Sequence, residues 1–245
     1  VFPPARLTAQ RAHPSIAGFD PCQGPAMPTT LDCNIMKHVF GTNRMRAVFD
    51  SRRLLQGWLD TWAALAEAEA DAGLIPADAA KQIRAAARAE LYDLDEIGAG
   101  VESGRHILMP SIRALSARCG DAAKYVHWGT TSQDIFDTGL VLQIRDALGI
   151  VEQELRDQIG FLLPLAEKFK GHAMAGRTHW QHAVPITFGL KVAFWVDELA
   201  RQLKRVQHCR HQVSVYQMSG SAGTFASLGE HGPKVQAAFE KRIGL

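Results

Sequence analysis

The sequence predicts an all-α fold: a bundle of long helices preceded by a small N-terminal helical domain. Three observations carry this prediction. Apolar residues recur at three- and four-residue steps over most of the chain after Asp50. One of these stripes, over 190–215, runs longer than a compact 245-residue monomer needs. No segment alternates with period two over a convincing length. The expected divisions are a flexible leader over 1–28, a small helical domain over 29–120 and a long-helix domain over 121–245.

The leader carries Pro3, Pro4, Pro14, Pro21, Pro25 and Pro28, a density that forbids a continuous helix. Met27 is a candidate natural start. The first clear helix begins near Asp50 or Ser51, either of which can cap it, with Leu55, Trp58, Leu59, Trp62, Leu65 and Ala66 on its inner face. Gly73 and Pro76 end it. A second helix is expected from Ala77 to about Leu91. A third is expected from near Pro110 to Gly120, with Ile112, Leu115 and Ala117 inward. The polar stretch Glu102 to His106 reads as a turn leading into that third helix.

After Asp134 comes a very long helix with Leu140, Ile144, Leu148, Val151, Leu155, Ile159 and Leu162 along one stripe, and Pro164 is expected to kink or break it. The pattern resumes after Thr187. Val192, Val196, Leu199, Leu203, Val206, Cys209 and Val213 step with a period near 3.5, the seam of a bundle helix. A helix over 190–215 would be about 39 Å long, which suggests a bundle continued across subunits. A short helix from Pro233 to Arg242 closes the chain.

Composition bounds the function. A formal net charge of +2, with basic residues scattered, gives no footprint for nucleic acid. No apolar run reaches the length that crosses a bilayer. Cys22, Cys33, Cys119 and Cys209 lie far apart without a CxxC, which reads as free buried thiols in a reducing cytoplasm.

Two stretches are dense in functional side chains. The first, Gly129-Thr130-Thr131-Ser132-Gln133-Asp134, opens the long helix. Asp134 three residues after Thr131 is a capping-box pattern, and as such accounts for the stretch as a well-capped helix start. The same exposed N–H groups and helix dipole also favour an anion, with three hydroxyls and the Gln133 amide as added donors. The second, Gly176-Arg177-Thr178-His179-Trp180-Gln181-His182-Ala183-Val184-Pro185, reads as a loop between the two long helices. A histidine there is suited to acid–base work near neutral pH, and Arg177 either binds an acidic substrate or braces the loop. The two stretches are expected to meet at one site for a small anionic carboxylate. Arg105-His106 is a third candidate. Ser219 to Thr224 is a Gly-rich bend that could pass near the site but lacks the lysine of a phosphate loop. His179 with His182, and His208 with His211 beside Cys209, have no third ligand at helpful spacing, so no metal is expected.

In this order along long helices, these patches resemble the fumarase/aspartase superfamily, over roughly Met27 to Leu245. The carrying residues are His127 to Asp134 with Asp137-Thr138, and Gly176 to His179 through Ala183, Pro185 and Gly189. The resemblance implies a homotetramer whose active sites draw on several subunits, no cofactor, and anti elimination or its reverse beside a carboxylate. It implies that Thr131, Ser132 and Gln133 bind the substrate together with Arg105 and His106, that Thr178 and Gln181 hold it, and that His179, aided by Thr178, serves the acid–base or leaving-group step.

Within the superfamily, Pro185 to Lys191 and Ala222 to Gly229 look more like the carboxymuconate cycloisomerase branch. His179 and Arg105-His106 look more like the adenylosuccinate lyase branch, although Ile107 stands where that branch has an acidic residue. The family's base, a serine on a loop with a Met-Pro-x-Lys-x-Asn pattern, has no counterpart here and would fall beyond Leu245. The expectation is therefore a fragment of a longer enzyme, cycloisomerase-like by preference, against two rivals: an inactive helical scaffold and a metal-dependent hydrolase.

Overall fold

The computed structural model describes residues 33–245; the expected leader and Cys22 lie outside them. The chain divides after Asn43 into two compact units. In the first, hydrogen-bonded turns run over 34–39. The second holds almost all the regular structure and is helical, as expected, with one small hairpin added.

A short helix, α1 (Asn43–Val48), leads to α2 (Ser51–Asp71). Asp50 caps α2 by accepting the Arg53 N–H at 2.7 Å, which supplies a partner for one of the unpaired donors of the first turn. Leu55, Trp58, Leu59, Trp62, Leu65 and Ala66 are all buried, so the 3.6-residue stripe is the core face. The helix ends at Gly73, whose φ of +80° suits a residue without a Cβ.

The next helix, α3 (Ala77–Ala86), stops short of Leu91. Side chains of α2 capture the backbone beyond it. The Gln56 amide accepts from Ala89 N–H and donates to Ala87 C=O, and Arg52 donates to Ala89 C=O. The chain therefore tightens into a 3₁₀ turn over Ala89–Leu91.

A helix the periodicity did not reveal follows, α4 (Leu94–Gly104), capped by Asp93. Three glycines within 98–104 lower its propensity, and it buries no residue fully. The polar turn shrinks accordingly to Arg105 and His106. In α5 (Met109–Arg118), Leu115 is buried, Ile112 half-buried and Ala117 exposed.

The longest element is α6 (Ser132–Lys168), 37 residues or about 55 Å. It continues through Pro164 rather than ending there. Its buried residues, among them Ile135, Leu142 and Ile150, all lie in the first 19 residues, while Leu140 of the expected stripe faces solvent. Helices α2 and α6 cross where glycine meets glycine: a Cβ on Gly57 would lie 3.1 Å from the Gly139 carbonyl, and one on Gly139 would lie 2.8 Å from the Trp58 ring.

The segment expected to be a loop is instead an antiparallel hairpin, β1 (Ala173–Thr178) and β2 (Gln181–Thr187). It returns the chain into α7 (Phe188–Val213), capped by Thr187. The period-two signal is broken because the register shifts at Gly176. A Cβ at Gly176 would lie 2.6 Å from the Val184 carbonyl. Helices α6 and α7 pack antiparallel and are tied by Glu152, which accepts from Gln207 and Arg210. The seam residues of α7 are half-buried apart from buried Val192 and exposed Cys209.

Finally α8 (Gly232–Ile243) lays Val235, Phe239 and Ile243 against Ala64, Leu65 and Ala68 of α2. Of the cysteines expected to be buried thiols, Cys119 is buried, Cys33 intermediate and Cys209 exposed; all three are free. No helix is long and apolar enough to cross a membrane among the described residues.

Candidate active site

The start of α6 is a knot of hydrogen bonds around one buried carboxylate. Asp134 accepts from the Thr130 hydroxyl at 2.9 Å, from Thr131 N–H at 3.0 Å, from Gly220 N–H at 3.0 Å and from Ser219 N–H at 3.4 Å. The Gly-rich bend passes the start of α6, and Asp134 is what holds it there. One turn further along α6, Thr138 donates its hydroxyl to Gln217 C=O and accepts the Gln217 N–H, a second strap on the same segment. Gly129 sits at φ +72° directly under Leu228: an added Cβ would lie 2.4 Å from a Leu228 methyl.

Two of the expected donors are already spent. The Thr130 hydroxyl is committed to Asp134, and the Gln133 amide donates to Asp137 at 2.7 Å. Ser132 and the half-buried Thr131 remain at the helix mouth, beside the backbone N–H groups and positive dipole end of a very long helix.

His106 and His127 belong to this same end. His106 is exposed, and its Nδ1 accepts the N–H groups of Leu108 and Met109 at 3.2 and 3.1 Å, which turns its Nε2–H outward. Arg105 is the left-handed C-cap of α4, φ +52°, and is exposed. His127 is half-buried with a left-handed backbone, φ +62°, and its Nδ1 accepts the Trp62 indole N–H at 3.0 Å. Burial pushes the His127 pKa down. The Asp134 charge pushes it up and that of His106 down, so these three groups share one field.

His127, Asp134 and Trp62 were not among the expected site residues. The spacing of His127 and Asp134 about Thr131 was the available signal, whereas nothing local marks Trp62, which comes from a helix 65 residues upstream.

The hairpin is a different environment. Its two-residue loop is His179-Trp180, both at positive φ (+47° and +65°), the geometry of a tight hairpin turn. Positive φ is unusual for a residue as bulky as Trp. Thr178 and Gln181 pair across the ladder at the base of this turn. Arg177 lies 3.2 Å from the His182 ring nitrogen, so it braces the hairpin. Thr178, His179, Trp180 and Gln181 are all exposed. Within one chain the hairpin lies beyond the C-terminal end of α6 and Thr131 lies at its N-terminal end. The chain therefore brings Arg105, His106, Thr131, Ser132 and Gln133 to one end and Thr178, His179 and Gln181 to the other. The two stretches do not meet within a single copy. Among the described residues no group of three or more His, Cys, Asp or Glu is placed to hold a metal ion.

A protein-family model described as lyase matches residues 37–244. The chain is 41% identical over 215 residues to N-acetyl-S-(2-succino)cysteine lyase of Dickeya dadantii, covering 88% of this chain and 47% of that protein. It is 40% identical over 207 residues to adenylosuccinate lyase of Methanothermobacter thermautotrophicus, covering 84% and 46%. Among solved structures, the 3-carboxy-cis,cis-muconate lactonizing enzyme of Pseudomonas putida superposes with a TM-score of 0.80 at 40% identity, over 84% of this chain and 48% of that one. The chain thus spans about half the length of the curated relatives it matches.

Proposed function

The chain belongs to the fumarase/aspartase superfamily of lyases, and on that footing we propose that it is part of an enzyme of the 3-carboxy-cis,cis-muconate cycloisomerase type, making or breaking a bond by anti addition or elimination next to a carboxylate. The three relatives named above act on three different compounds at nearly equal identity, so identity does not choose a substrate. What their names share is a carbon chain carrying carboxylates.

The observation that carries the reading is the mouth of α6, where Thr131 and Ser132 stand at the first turn of the longest helix. Asp134 holds the adjoining backbone from within. In this reading these groups take a substrate carboxylate, with Gln133, Arg105 and His106 at the rim. Thr178 and Gln181 hold the substrate, and His179 exchanges the proton of the acid–base or leaving-group step. A base removes the proton beside the carboxylate, the charge spreads into it as an aci-carboxylate, and the neighbouring group departs. The reading assigns that base to a serine on sequence outside this chain. It keeps 29–120 as the small domain presenting Arg105 and His106, and 121–245 as the long-helix domain.

Self-association is part of the same proposal. Thr131 and His179 stand at opposite ends of an element about 55 Å long, so a site using both takes its hairpin from another copy. The faces of α6 and α7 support this: Phe161, Leu163, Leu165, Leu190, Phe194 and Trp195 are exposed along the last part of α6 and the first part of α7, an apolar area that a lone chain would not leave wet. A homotetramer in the cytoplasm is the reading, and the free Cys33, Cys119 and Cys209 fit a reducing compartment.

The second reading, an adenylosuccinate lyase-type enzyme that releases fumarate, is favoured by Arg105-His106 and His179. An absorbance assay decides between the two. The product of the whole gene carrying this chain is given 3-carboxy-cis,cis-muconate and adenylosuccinate in parallel, with His179→Ala beside the wild type. Turnover of the muconate, lost at least about 100-fold in the variant, is the expected result. Turnover of adenylosuccinate alone selects the second reading. Turnover of neither moves the search to other succinyl-type adducts, or to the inactive scaffold.

A further inference from the structure

Two indoles on the buried face of α2 have opposite fates. The Trp58 N–H is buried without a partner. The Trp62 N–H, one turn later and in a more deeply buried residue, finds the Nδ1 of His127 at 3.0 Å, with the two rings edge to face. An indole nitrogen can only donate. The His127 nitrogen facing it must therefore be the bare, accepting one. The neutral imidazole then carries its single proton on Nε2. A second proton on Nδ1 would set two N–H groups against each other at hydrogen-bond distance, so the imidazolium is excluded while the indole stays in place.

We propose that Trp62 is a positioning residue, which holds His127 as an uncharged imidazole whose Nε2–H is the outward donor at the mouth of α6. The proposal rests on the reading of Thr131 and Ser132 as the carboxylate-binding pair. Two features hold the arrangement. Trp62 is immobilised in the core. The His127 backbone is confined to the left-handed region two residues before Gly129, which is itself wedged under Leu228. Among the described residues none hydrogen-bonds the His127 Nε2, so that donor is available to a ligand.

The charged and titratable groups that His127 senses are Asp134 from α6 and His106 from the turn before α5. Trp62 from α2 brings no charge of its own. Asp134 favours the imidazolium, and the indole opposes it by direct contact. His127 is thereby a donor that orients an anion without giving up a proton, so its role differs from the one assigned to His179.

Solid-state ¹⁵N spectra of the whole gene product, with ring-labelled histidine and His127 assigned by the signal lost in His127→Asn, test this. In the wild type Nδ1 is expected to show the signature of an unprotonated ring nitrogen at neutral pH, and Nε2 that of an N–H. In Trp62→Phe both neutral tautomers are expected, with protonation setting in at a higher pH than in the wild type. Should Trp62→Phe fail to fold, benzothienylalanine placed at position 62 keeps the ring size and removes only the N–H, and the same change is expected. A wild-type His127 carrying its proton on Nδ1, or a spectrum unchanged when the indole N–H is removed, overturns the proposal. Fumarate added as a plain dicarboxylate separates the two levels: movement of the Nε2 signal supports both. A His127 that keeps its tautomer and ignores fumarate upholds the Trp62 lock and sinks the carboxylate reading.

Discussion

The two ends of α6 hold comparable sets of polar residues under opposite conditions. At the N-terminal end Asp134 has four donors, His127 has an indole partner, Thr138 straps a neighbouring segment and Gly129 is packed to contact. At the hairpin end Thr178, His179, Trp180 and Gln181 stand in solvent, and beside their turn Arg177 contacts His182. The difference teaches that one chain braces its polar residues at one end of a helix and leaves them unbraced at the other. The folded core supplies buried partners at the first end, and the second projects beyond that core; under the proposed self-association its partners come from another copy. An unusual backbone occurs at both ends, at His127 and at His179-Trp180, yet only the first is held by tertiary packing. Strained conformations persist where the surroundings determine them; at the hairpin the two-residue turn itself sets the positive φ values.

Changes that remove the bracing should therefore act on stability at the first end and leave it untouched at the second. The largest effect is expected from Asp134→Ala, which orphans two backbone N–H groups of the bend, the Thr131 N–H and the Thr130 hydroxyl. Urea unfolding should show a loss of about 3 kcal/mol, and a loss under 1 kcal/mol would mean that the knot is not what holds the bend.

Gly129→Ala is expected to cost about 2 kcal/mol, because a Cβ is disfavoured at positive φ and Leu228 must move. Leu228→Ala in the same background should recover part of the loss if the clash is the larger share.

A pH series sharpens the comparison through Glu69, which lies on α2 inside the same core. Both its carboxyl oxygens are buried without a partner, and burial pushes its pKa up from 4.5 to about 8. Between those values the folded chain holds a proton that the unfolded chain releases. This contribution is fully present below pH 4.5 and is lost as pH rises through about 8. Unfolding free energy should fall over that interval, and Glu69→Gln should flatten the curve. A wild-type curve that rises across the same interval would contradict this assignment.

The smallest stability effect belongs to the hairpin. His179→Ala and Trp180→Ala should each change unfolding free energy by no more than about 0.5 kcal/mol, since exposed side chains without partners are removed. Sedimentation should meanwhile show Trp180→Ala weakening self-association. A large stability loss for either variant in the isolated chain would erase the contrast between the ends.

Much of the fold was legible in residue order because it follows local chemistry. The stripe on α2 is the core, the Asp50 and Thr131 starts are capped helix starts, and Gly73 is a helix end. The misreadings came where local signals were weak or outvoted. Helix α4 is glycine-rich and lightly buried, α3 is cut short by Gln56 and Arg52 reaching from another helix, and the hairpin's alternation is broken by the register shift at Gly176. For the site, the motif around Thr131 was readable because a helix start and an anion site use the same short-range groups. The pairing of His127 with Trp62 was not, because the two are 65 residues apart in sequence.

Sequence alone therefore determined the class of the fold, the places of its major helices and the residue types that gather at their ends, since periodicity, caps and turn glycines act within a few residues of one another. Which of those residues share a site was decided by the tertiary fold. A single helix about 55 Å long separates Thr131 from His179, while packing of α2, α6 and the bend after α7 draws Trp62, His127, Asp134 and Gly220 together. Those contacts depend on how distant segments are folded against one another, and no local pattern encodes that.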